Sequence, residues 1–209
     1  MKTLVIDYGS GNLRSAAKAL EATGFDVRVS SDPAAAAGAE LLVLPGQGHF
    51  AQVAGNFRAS GFEAAVREHV AAGRPFLGIC VGLQLLFEGS EEAPGVPGLG
   101  LVSGTVRRFR ARKVPHMGWN TLEVADGPFA DFDGRHFYFV HSYYAPLTPH
   151  SAGVTRYEGT AFTALYLKDN VAAPQFHPEK SSSAGLAFLR ALKRYFEGTL
   201  ASRSSGRTR

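Results

Sequence analysis

Two hydrophobic rhythms alternate along the first half of the chain. Leu4-Val5-Ile6 is an unbroken apolar run, the pattern of a strand covered on both faces. Beyond Gly9 and Gly11, Leu13, Ala16, Ala17 and Leu20 recur at helical spacing and stop before Gly24. Residues 25–29 alternate as a strand, and Leu41-Leu42-Val43-Leu44 is another buried run, closed by Pro45-Gly46. Helical spacing returns over residues 62–70, with Gly73 as the C-terminal stop. Phe76-Leu77-Gly78-Ile79 predicts a fourth strand, and residues 83–87 the helix that follows it. Strands and helices in this order, with short connections, predict a parallel sheet covered on both faces.

After Gly89 the rhythm changes. Residues 90–100 are rich in Glu, Pro and Gly and read as a surface loop. Mostly β segments follow at 102–109, 119–124, 137–140, 154–157, 161–167 and 171–176. A last amphipathic helix is expected over 184–196, with serines before it able to cap it. No repeat or linker divides the chain. The expectation is one α/β domain over residues 1–198, an open, mostly parallel sheet flanked by helices, with an added β-rich second half. Residues 199–209 form a basic tail expected to be disordered.

Composition narrows the function classes. With 209 residues, 45% hydrophobic and 19% charged, the chain is ordinary globular material, long enough to need no disulfide or metal staple. Its one cysteine, Cys80, makes an internal disulfide, a CxxC redox pair or a multi-cysteine zinc site impossible, which points to a reducing compartment. The net charge of +4 rests largely on Arg203, Arg207 and Arg209. Without those three, 19 of the 22 basic side chains face 18 acidic ones, so no nucleic-acid partner is expected. The N-terminal apolar run is too short for a signal peptide. The longest uncharged apolar stretch, 75–87, falls short of the roughly 20 residues a membrane span needs. A soluble, cytoplasmic protein is expected.

Cys80 carries most of the chemistry. Alone, a cysteine after an apolar strand is usually a small buried hydrophobe. Here Gly78-Ile79-Cys80-Val81-Gly82 sets it between two glycines at a strand–helix junction, the nucleophile-elbow pattern with sulfur in place of oxygen. Such a turn lifts the side chain out of the sheet, to a helix start whose N–H groups stabilise negative charge. The N–H of Val81 is then expected to point where an oxyanion forms. Among the seven histidines, His177 stands out, because it follows Pro174-Gln175-Phe176 at a strand end, where parallel sheets gather reactive groups. Glu179, two residues on, is placed to orient the imidazole. A zinc-deaminase reading of His177-Pro178-Glu179 fails for want of the Pro-Cys-x-x-Cys partner. Gly46-Gln47-Gly48-His49-Phe50-Ala51 formally fits a dinucleotide fingerprint, but Pro45, not a helix start, flanks it. A backbone donor loop completing an oxyanion hole is the preferred role for Pro45-Gly46-Gln47-Gly48. These residues alone fit a cysteine hydrolase of an amide or peptide, or an inactive interaction module.

Gly78-Ile-Cys-Val-Gly-Leu-Gln84 together with His177-Pro-Glu179 resembles the class I, triad-type glutamine amidotransferases, over nearly the whole chain. Asp7-Tyr-Gly-Ser-Gly-Asn-Leu13, Pro45-Gly-Gln-Gly-His-Phe50, Val114-Pro-His-Met-Gly-Trp-Asn120, Phe139-Val-His-Ser-Tyr143 and Gln175-Phe-His-Pro-Glu-Lys-Ser181 narrow the likeness to the glutaminase subunits of imidazole glycerol phosphate synthase. The resemblance implies a flavodoxin-like fold, glutamine as substrate, no cofactor and no metal. It implies a Cys80–His177–Glu179 triad, oxyanion and substrate contacts from Gly46, Gln47, Gly48, Val81, Gln84, Ser142 and Tyr143, and a (β/α)₈-barrel synthase (cyclase) partner in a heterodimer. Asn12, Trp119, Tyr138 and Lys180 match positions at or near that partner's interface. Gln47 stands where the family often has valine, a change that leaves the backbone donor in place.

Overall fold

A computed structural model describes residues 1–9 and 12–206; Ser10 and Gly11 of the first glycine loop, and residues 207–209 of the basic tail, lie outside the described residues. The chain opens with β1 (Lys2–Ile6), α1 (Leu13–Glu21), β2 (Asp26–Ser30), β3 (Leu41–Gly46), α2 (Phe50–Ala59), α3 (Phe62–Ala71) and β4 (Phe76–Cys80). One helical turn, α4 (Val81–Gln84), precedes β5 (Phe87–Ser90), β6 (Val102–Arg108), β7 (His116–Thr121), β8 (His136–His141) and β9 (Tyr143–Tyr144). Last come β10 (Ser151–Tyr157), β11 (Thr160–Lys168), β12 (Val171–Pro174) and α5 (Ser182–Gly206).

The central sheet runs β10-β11-β12-β4-β3-β1-β2. Its β12-β4-β3-β1-β2 part is parallel, and β11 and β10 add an antiparallel edge. Every residue of β3, β4 and β12 is buried, as unbroken apolar runs require in a sheet covered on both faces. Two helix pairs, α1 with α5 and α2 with α3, pack beside it. The order β2-β1-β3-β4-β12 is the doubly wound one, in which reactive loops gather at the carboxyl ends of the strands. Two smaller sheets sit over that end: β5-β6-β9 and the antiparallel ribbon β7–β8. No helix among the described residues is long and apolar enough to cross a membrane.

The expected elements needed four corrections. A helix starts at Phe50, where none was read; His49 caps it, its Nδ1 accepting the Ala51 N–H at 3.2 Å. The helix expected over 83–87 is only the turn α4, and Phe87 already begins a strand paired with β6. That segment is apolar at every position but Gln84 and only five residues long, so its sequence has no period to favour helix over strand. In the loop expected over 90–100, Ser90, Ala93 and Leu99 are buried. Finally, α5 begins two residues early and continues to Gly206, so the boundary expected at 198 falls inside a helix.

Candidate active site

Cys80 ends β4 with φ +54° and ψ −105°, a backbone conformation that non-glycine residues rarely adopt. Holding it costs on the order of 1–3 kcal/mol, offset by packing on every side. The packing depends on glycine. A Cβ at Gly46 would lie 2.6 Å from the Gly82 nitrogen, and one at Gly82 would run into the carbonyl oxygen of Leu44. Without side chains there, β3 and the elbow close on each other, and Gly46 pairs with Cys80 across the parallel strands. The helix after the elbow is one turn long, so its dipole is slight and the individual N–H groups matter more.

His177 lies just past β12, the parallel neighbour of β4, at the start of the 3-10 turn Pro178–Lys180. Its Nδ1 meets Glu179 Oε1 at 2.7 Å, with both side chains buried. Burial alone would lower the imidazole's pKa. Charge and hydrogen bonding from Cys80, then Glu179, outweigh it and push the value up to about 10. Cys80 thus acts on the same ring that Glu179 holds, although Nε2 makes no bond of normal hydrogen-bond geometry. Two bonds tie the turn to β8, and a third closes the turn on itself. The His177 N–H donates to the Tyr138 carbonyl (2.9 Å), the Ser181 hydroxyl to the His177 carbonyl (2.7 Å), and the Tyr138 N–H to Ser181 Oγ (3.0 Å).

A cavity of about 270 Å³ brings together Cys80, Val81, Gln84, Gln47, Gly48, Ser142, Tyr143 and His177. Gly46 stands next to it at the end of β3. A cavity of similar size at the opposite end of the sheet, lined by Lys2, Asp26 and Arg28 among others, contains no thiol or imidazole. Gln84 Nε2 donates to the Tyr143 carbonyl (2.9 Å) and to Gln175 Oε1 (3.2 Å), so both amide protons are committed and its carbonyl oxygen is what it can turn to a ligand. Gln175 Nε2 in turn reaches the Cys80 sulfur at 3.5 Å. The glycine loop before α2 is fixed at both ends. The Tyr8 hydroxyl donates to the Pro45 carbonyl (2.7 Å), and Glu92 Oε2 accepts the Phe50 N–H (2.8 Å).

Gln175, Glu92, Pro115, Val140 and His141 adjoin the site without having been singled out from sequence. A fully buried glutamine inside the apolar run 171–176 was the available signal for one of them. Glu92, in a loop rich in Glu and Pro, had none. Trp119, a core residue by default, is 52% exposed beside Met117 at 58%. It meets Tyr138 edge-on across the ribbon, with ring centroids 6.2 Å apart. Lys180 belongs to the His177 turn, and Asn12 heads α1, which packs on that turn; the Asn12 side chain makes no capping bond.

The model of the family "Glutamine amidotransferase class-I" matches residues 4–192. Imidazole glycerol phosphate synthase subunit HisH of Thermus thermophilus is 68% identical over 197 residues, covering 94% of this chain and 99% of that one. The subunit of the same name from Deinococcus radiodurans is 51% identical over 200 residues, 92% of this chain and 93% of its own. Among solved structures, a glutamine amidotransferase superposes with a TM-score of 0.69 at 23% identity, covering 95% of this chain and 98% of that one. This last likeness is one of fold.

Proposed function

We propose, from the premise that this chain belongs to the class-I glutamine amidotransferases and, within them, to the glutaminase subunits of imidazole glycerol phosphate synthase, that Cys80, His177 and Glu179 break the glutamine amide. The chain is a glutaminase that supplies histidine biosynthesis together with a synthase partner. The observation that carries the triad is one cavity lined by Cys80 and His177, with Glu179 hydrogen-bonded to the imidazole's other edge.

In this reading the Cys80 sulfur attacks the side-chain amide carbon, and its proton resides on His177. The backbone N–H groups of Val81 and of the Gly46-Gln47-Gly48 loop receive the oxyanion; one such donor typically contributes about 10²–10³ in rate. The tetrahedral intermediate collapses as His177 gives its proton to the departing nitrogen, leaving ammonia and a γ-glutamyl thioester. Water then attacks the thioester, His177 taking its proton, and glutamate and the thiol are restored. Glu179 holds the ring in one orientation and stabilises its positive form. Gln84, Ser142 and Tyr143 hold the substrate. Glu92, the carboxylate on the cavity wall, faces the α-ammonium group that free glutamine brings with it.

Ammonia is useful only if it reaches its acceptor before protonation in bulk water. The proposed partner is a (β/α)₈-barrel cyclase docked on the face carrying Asn12, Trp119, Tyr138 and Lys180. There the phosphoribulosyl-formimino carboxamide nucleotide becomes imidazole glycerol phosphate and an aminoimidazole carboxamide ribonucleotide. The single cysteine, buried and unpaired in any disulfide, supports a cytoplasmic setting. In the reconstituted complex, Cys80→Ala is expected to cut glutamine-dependent synthesis by about 10³-fold or more while ammonium salts still support turnover. Loss of both activities would defeat the channelled-ammonia reading.

A further inference from the structure

The inward face of the β7–β8 ribbon carries a line of hydrogen bonds that the triad does not use. At its outer end, Asn120 Oδ1 accepts the Thr121 N–H (2.7 Å), and Asn120 Nδ2 donates to the Arg156 carbonyl (3.0 Å). Those two partners settle which end of the amide is which. Nδ2 also lies 3.1 Å from His116 Nε2, which must therefore accept. His116 Nδ1 lies 3.0 Å from His141 Nε2, and His141 Nδ1 lies 2.8 Å from the Tyr143 carbonyl. An imidazole that accepts at Nε2 carries its proton on Nδ1, so His116 Nδ1 donates to His141 Nε2, and His141 in turn carries its proton on Nδ1, facing a carbonyl that only accepts. Followed from Asn120 inward, both rings are neutral and each has a single tautomer. Their surroundings support this: burial lowers His116 to about 4 and His141 to about 3.

The line ends on a carbonyl of the site. Tyr143 lines the cavity, and its carbonyl oxygen takes one hydrogen bond from His141 and one from Gln84. Around the two imidazoles stand Phe109, Phe139, Tyr157 and Phe162, with His116 stacked on Tyr157 (4.1 Å) and Phe139 (4.9 Å). In that enclosure a lost bond leaves a buried polar atom unsatisfied.

We propose that His141, held in its tautomer by His116 and Asn120, is a positioning residue for glutamine: it fixes the cavity wall at Ser142 and Tyr143 by donating to the Tyr143 carbonyl. The inference rests on the glutaminase reading above and deepens it.

Asparagine places an amide close to where an imidazole carries Nδ1, and glutamine close to Nε2. His141→Asn therefore keeps a donor toward the Tyr143 carbonyl, whereas His141→Gln keeps only a partner for His116. In the complex, His141→Gln is expected to raise the glutamine KM about tenfold, the effect of one hydrogen bond, and His141→Asn by less than about threefold. The order of stability runs the other way, since asparagine leaves the larger void and melts lower. Alkylation of Cys80 by iodoacetamide and ammonium-supported synthesis are expected to stay near wild-type rates in both. A milder effect from glutamine than from asparagine, or equal effects, would overturn the proposal. If neither variant folds, His116→Asn and His116→Gln pose the same question one bond further out, with the same order expected and the same reversal fatal. Failure of the unaltered complex to hydrolyse glutamine would instead defeat the glutaminase reading itself.

Discussion

Four buried histidines divide by charge. His69 and His116 are lowered to about 4 and His141 to about 3, all chiefly by burial, whereas His177 is pushed up to about 10 by Cys80 and Glu179 against burial. The lowered groups bind protons more readily unfolded than folded. Their contribution to stability is complete above about pH 6.5 and is lost as the pH falls toward 4. His177 has the opposite sign: its contribution is complete below about 6.5 and is lost as the pH rises through about 10. Urea-unfolding free energy is therefore expected to peak near neutrality, each group adding a slope of up to about 1.4 kcal/mol per pH unit in its window. Cys80→Ala should flatten the alkaline limb and spare the acid one; a level profile from pH 5 to 7 would contradict the assignment. Cys80, His177 and Glu179 were legible in sequence because glycines, a strand end and a carboxylate two residues on each have a chemical reason. Gln175 was not, since what distinguishes it is a bond to Cys80 far away in the chain, nor was His141, whose Tyr143 acceptor is near but whose tautomer is set through the distant His116.

At the level of elements, legibility followed periodicity. Helix α2 buries Phe50, Val53, Ala54 and Phe57, a regular i, i+3, i+4, i+7 face that the fingerprint-like glycines before it and Gly55 within it obscured. The turn α4 and strand β5 had no such face, and only the parallel partner β6 decides between them. Glycines that look alike in sequence also separate here. Gly82→Ala would drive its methyl into the Leu44 carbonyl and is expected to cost about 1–3 kcal/mol by overpacking, with a fall in kcat as the elbow shifts. Gly55→Ala, with open space around it inside α2, is expected to stabilise by about 0.5–1 kcal/mol and leave kcat alone. Paired thermal melts and glutaminase assays decide both, and a harmless Gly82→Ala would remove the close-packing account of the elbow.

Across the whole molecule, the ribbon β7–β8 has two faces with different duties. Met117 and Trp119 point outward, while His116, Phe139 and His141 point in. Trp119→Ala is expected to weaken stimulation of the glutaminase by the synthase partner about tenfold or more, as removal of an aromatic anchor does, and to leave unstimulated hydrolysis within about twofold. An unchanged stimulation ratio would take Trp119 out of the contact. The two halves of the proposed triad come from adjacent strands in distant parts of the chain: Cys80 ends β4, and His177 lies just past β12, the neighbour of β4 from Phe76↔Val171 onward. On the ribosome, then, the thiol emerges long before the proposed base. If the two act together as proposed, a half-built chain that ends before His177 is expected to be chemically silent toward glutamine.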